Sequence, residues 1–107
     1  MSLDVYLTEV RPTEVYSRNI THNLNKMAME AGIYEPLWRP EEIGITHAHQ
    51  LIAPLAEGLT KLKADPEHYR KFNAPNGWGM YEHFVPFVED YLKACIESPN
   101  AEVHACR

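Results

Sequence analysis

The chain has 107 residues, a formal charge of −5 from 15 acidic against 10 basic side chains, and an apolar fraction of 45%. One hydrophobic core normally serves about 100 to 150 residues, so the length suits a single domain spanning residues 1–107, and the apolar content excludes a disordered chain. The acids are scattered (Asp4, Glu9, Glu14, Glu41, Glu42, Glu57) and the bases form no patch, which argues against nucleic acid as a partner because such binding relies on clustered cations releasing counterions from phosphate.

Taken in chain order, Leu3, Val5 and Leu7 alternate with Asp4, Tyr6 and Thr8, the period-two pattern of a strand with one face on a core. Arg11, Pro12 and Thr13 supply turn chemistry, and residues 14–17 are short, β-branched and aromatic, which predicts a return strand. Thr21 is expected to cap a helix whose apolar positions Leu24, Met27, Ala28 and Ala31 recur at three and four residues, with Gly32 as its left-handed end. Pro36 interrupts that period, so residues 33–38 are expected to form an ordered loop. Pro40, two acids and Gly44 then read as a single helical turn.

A second helix is predicted from Thr46 as cap, with Ala48, Leu51, Ile52, Leu55, Leu59 and Leu62 as one stripe. Asp65, Pro66 and Glu67 start a shorter helix reaching about Phe72, and residues 73–77 read as a turn. The last helix is expected over residues 79–97, with Phe84, Val88, Tyr91, Leu92 and Cys95 at helical spacing. Pro54 and Pro86 fall inside the two long helices, where each would either bend or interrupt them. Residues 101–105 predict a final strand beside the first. The fold class that results is α+β: a small two- or three-stranded antiparallel sheet from the chain ends, packed against three to four helices.

Cys95 and Cys106 are too few for a disulfide scaffold. No basic leader or long apolar run occurs, so a cytoplasmic protein is expected, with no membrane partner. Serines lie in no nucleophile elbow, and the paired-Cys and HExxH spacings of zinc sites are missing, so neither metal nor other cofactor is expected. His47 and His49 would point about 200° apart on a regular helix, which weakens them as a chelating pair.

Three stretches can carry a site. Asn76, Gly77, Trp78 and Gly79 stand before the longest predicted helix, where glycine backbone can approach a ligand, helix amides can hold an anion and an indole can stack on a planar group; a plain turn with a core-covering Trp explains the same residues. Trp38 and Arg39 combine an aromatic surface with a guanidinium suited to phosphate or carboxylate; the competing reading puts Trp38 in the core and Arg39 in a surface ion pair. His22 and Asn23, beside the capping Thr21, sit where an imidazole can transfer a proton or bind a ligand.

The runs NITHNLNKMAMEAGIYEPLWRPEEIGI and NAPNGWGMYEHFVPFVEDYLKAC resemble a family of small phage- and prophage-borne proteins with no assigned activity. The resemblance covers residues 5–95 and implies an accessory protein that acts by binding; it transfers no catalytic residue. The sequence therefore leads to a non-enzymatic binding module for a protein partner or a small anionic, nucleotide-like ligand, using Trp38, Arg39, Asn76, Gly77, Trp78, Gly79, His22 and Asn23 in one shared hollow. A small hydrolase or transferase with His22 as acid–base group and Arg39 as charge stabiliser, and a structural homo-oligomer such as a homodimer built on Trp38, are the alternatives.

Overall fold

Strand β1 (Ser2–Glu9) lies between β2 (Thr13–Thr21) and β3 (Glu102–Cys106) in a three-stranded antiparallel sheet of order β2-β1-β3. The computed structural model describes residues 2–9 and 13–107; Arg11 and Pro12 of the expected turn lie outside the described residues. The alternation in β1 holds, with Leu3, Val5 and Leu7 fully buried and Ser2 and Asp4 exposed. β2 is longer than residues 14–17, because Asn19, Ile20 and Thr21 continue the ladder opposite Asp4, Leu3 and Ser2. Between Leu7, which faces Tyr16, and Thr8, which faces Glu14, Val15 is the extra residue of a bulge. β3 pairs with β1 from Asp4↔Cys106 to Thr8↔Glu102, so the two ends of the chain meet in one sheet as expected.

Five helices connect β2 to β3: α1 (Asn25–Glu30), α2 (Tyr34–Trp38), α3 (His49–Ala64), α4 (Pro66–Arg70) and α5 (Tyr81–Glu97). Single 3-10 turns at His22–Leu24 and Pro40–Ile43 join them. The apolar stripes predict the core well: Leu24, Met27 and Ala28, then Leu51, Leu55 and Leu62, then Phe84, Val88, Tyr91 and Cys95 all lie in one buried cluster with β1. Among the described residues no helix is long and apolar enough to cross a membrane.

Several boundaries differ from expectation, each for a local reason. Residues 34–38 form α2 instead of a loop; Pro36 stands in the first turn, where its missing N–H removes no intrahelical bond. Thr21 caps only the 3-10 turn, accepting from Asn23 N at 3.3 Å, and α1 starts later. Thr46 does not cap α3. Gln50 Oε1 instead accepts from the amides of Thr46 (2.7 Å) and His47 (2.9 Å), while Val103 N donates to Thr46 O, tying this entry segment to β3. His47 therefore sits before the helix, paired with Glu102, and its ring stacks on His49 with centroids 6.0 Å apart; the regular-helix argument that separated the two imidazoles does not apply. Pro54 and Pro86 both lie within continuous helices, so neither breaks its element.

α3 packs on α5 with Tyr81 Oη donating to Leu62 O at 2.7 Å. Gly58 allows Ile33 to nest against α3: a Cβ there would lie 2.3 Å from Ile33 Cγ2. Gly58→Ala should therefore destabilise the fold, because overpacking of about 1–3 kcal/mol exceeds the helix-propensity gain of about 1 kcal/mol. In thermal melts the single variant is expected to melt below wild type, and the pair Gly58→Ala with Ile33→Ala to cost less than the sum of its parts.

Between β2 and α5, Tyr16 stacks on Tyr91 at 5.6 Å beside the buried Cys95. Burial pushes the Cys95 thiol from 9.0 up to about 12 and the Tyr16 hydroxyl from 10.0 to about 12, and raises Tyr91 as well. The folded chain thus keeps protons that the unfolded chain releases. Stability should be intact below about pH 9 and fall as pH rises toward 12, by up to about 1.4 kcal/mol per pH unit for each shifted group. Urea titrations from pH 7 to 11 check this, and a midpoint that does not move across that range contradicts it.

Candidate functional site

The loop before α5 is built by its asparagines. Asn73 Oδ1 accepts from Tyr81 N at 2.7 Å, capping the helix from eight residues upstream. Ala74 N donates to Gly79 O and Gly77 N to Ala74 O, both at 3.1 Å, closing a turn over Pro75 and Asn76. Asn76 Oδ1 takes the Trp78 amide at 3.0 Å. The loop is fastened to the other side of the site by Asn23 Nδ2, which donates to Trp78 O at 2.7 Å. Gly79, at φ +117°, presses on that partner: a Cβ would come within 2.9 Å of Asn23 Cβ.

Two expectations about this loop need correction. α5 begins at Tyr81, so Gly77, Trp78 and Gly79 are not its first turn. The amides of Gly77 and Trp78 already have acceptors, so they do not form an anion cradle. Trp78 is not a core-covering residue either, with 71% of its surface exposed.

The loop and the 3-10 turn face each other across a hollow of about 830 Å3, lined by Ser2, by residues 19–24 and 76–79, and by His83. His22, Asn23, Asn76, Gly77, Trp78 and Gly79 thus come together as expected. Trp38 and Arg39 do not join them. Trp38 is only 2% exposed, stacked on Tyr34 at 5.6 Å and edge-on to His22 at 6.2 Å. Arg39 donates to Glu42 at 2.7 Å and to Tyr34 Oη at 3.1 Å, partners that raise its already high pKa. Their places in the working surface are therefore overturned in favour of core packing and a local ion pair, since the α2 turn directs the indole inward and leaves residue 39 beside the acids of the next turn. Arg39 does not line the hollow to which His22 contributes. A homodimer built on Trp38 loses its surface.

His22 contributes an imidazole whose Nε2 is buried among protein atoms, next to the indole edge. Asn19 is held by Ser2 at 2.9 Å and Asp4 at 2.6 Å, which shapes the strand side of the hollow. His83, from the first turn of α5, was missed as a site residue; only the folding of residues 73–81 brings it round to β2. Among the described residues no three His, Cys, Asp or Glu side chains gather as a metal-ligand set. No family model, curated protein or solved structure matches the chain.

Because Asn23 and Gly79 hold the loop against the turn, Gly79→Ala should unfasten it by strain at positive φ and by contact with Asn23. Amide hydrogen exchange is expected to speed up at Trp78 and Tyr81 in this variant while protection in β1 persists. Equal protection at both places in variant and wild type would contradict the fastening.

Proposed function

We propose that this protein is a non-enzymatic binding module that takes a small planar ligand in the hollow between the His22–Leu24 turn and the loop carrying Trp78. The observation that carries this reading is the exposed indole at the rim of that hollow. A large aromatic left in water next to a concave, amide-lined surface offers stacking at little ordering cost, since its neighbours on both sides are already hydrogen-bonded. Asn23 and Asn76 each commit one end of the side-chain amide to the Trp78 backbone. Among the described residues this leaves Asn23 Oδ1 to accept and Asn76 Nδ2 to donate, the complementary pair that reads the edge of a nucleobase.

Anion binding by loop amides is not part of this reading, nor is proton transfer by His22. An accessory role, as the resemblance to phage- and prophage-borne proteins implies, fits a binder of this kind. Fluorescence titration tests it, because Trp78 is exposed whereas Trp38 is buried. Nucleosides of the four bases should quench the emission saturably, and Trp78→Ala should weaken binding by about 5- to 150-fold, the equivalent of about 1–3 kcal/mol for one stacked base. A panel with no saturable response would remove the proposal.

A further inference from the structure

A second hollow of about 860 Å3 adjoins the first and shares His22, Asn23 and Asn76 with it. Its chemistry differs. Lys26 from α1 and Lys71 after α4 stand in its wall, with Asn73 between the helices. Among the described residues neither lysine makes an ion pair, although nearby acids are engaged elsewhere: Glu30 with His68, and Glu67 and Glu82 with Arg70. The chain carries 15 acidic residues against 10 basic ones, yet among the described residues none of those acids lines either hollow. An overall negative protein thus keeps one local region free of carboxylates and places two uncompensated ammonium groups in it.

We propose that the ligand is a nucleoside monophosphate, its base against Trp78 in the first hollow and its phosphate between Lys26 and Lys71 in the second. This rests on the reading of the first hollow given above and adds the phosphate end. Asn23 and Asn76, which line both hollows, are where the sugar would cross. Lysines suit this end because a phosphate monoester carries close to two charges and needs point cations on adaptable stems, whereas each arginine among the described residues pairs with a carboxylate of the protein itself. The absence of acids matters as much, since one carboxylate in the wall would cancel an ammonium.

The test compares adenosine, adenosine monophosphate and inorganic phosphate by calorimetry and indole fluorescence, on wild type and on Lys26→Gln with Lys71→Gln. Both lysines are exposed, so the double variant should melt like wild type. Wild type is expected to bind the monophosphate about 10- to 100-fold more tightly than the nucleoside, with an advantage that shrinks as salt rises. The double variant should bind the two alike. Equal binding of nucleoside and monophosphate by wild type overturns the phosphate assignment while leaving the base hollow standing. A preference that survives in the double variant overturns the role of these lysines. Binding of neither ligand removes both readings together, and binding of inorganic phosphate as tight as that of the monophosphate would show an anion site with no base recognition.

Discussion

The fold depends on β1 being paired along both edges and covered on one face. Leu3, Val5 and Leu7 can leave water only if helices lie over them, and the backbone groups flanking them can be buried only if a strand stands on each side. One of those strands follows directly in sequence. The other is the far end of the chain, so everything between must fold back far enough to deliver β3. The stitches near residues 46–49 and 99–103 serve that return: Val103 N to Thr46 O, Ala48 N to Ala101 O and His49 N to Pro99 O, each at 2.9 Å. Arg107, which donates to Trp38 O at 2.9 Å, fastens the end of the chain to α2.

The helical layer is organised by α3 and α5, the two long helices in mutual contact. Each carries a proline at its sixth residue, Pro54 and Pro86, and an interior proline removes one intrahelical bond and costs about 3 kcal/mol when nothing offsets it. The residues whose carbonyls lose a partner, Gln50 and Glu82, are exposed. Their stripes on the opposite side bury Leu51, Leu55, Phe84, Val88 and Tyr91, and that packing keeps both helices continuous across the prolines.

The site arises where this framework leaves a short loop to span from α4 to α5. Residues 73–79 cannot bury a side chain of their own in the core, and their backbone is satisfied mainly by asparagine side chains and tight turns. The loop leans on the end of β2 through Asn23 and Gly79, so the hollow is shaped by a sheet edge, a 3-10 turn and a helix entry at once. The exposed indole and the acid-free wall go with that position: the core already holds Trp38, and Glu30 of α1, Glu67 of α4 and Glu82 of α5 are drawn into pairs with His68 and Arg70.

Spacing and turn chemistry determined the α+β class, the alternating first strand, the apolar stripes of α3 and α5, the left-handed end at Gly32 and the turn that ends at Gly44, because these follow from periodicity and from backbone sterics that act within a few residues. They also singled out residues 22–23 and 76–79. Tertiary structure decided what spacing cannot carry: that Pro36 stands in the first turn of a helix, that Asn73 caps α5 from eight residues upstream, and that Arg39 turns to Glu42 while Trp38 turns inward. It also decided that Asn23 meets Trp78, a contact between residues 55 positions apart. A side chain's partner at that separation depends on how packed elements are oriented, and orientation is fixed only once the core has closed.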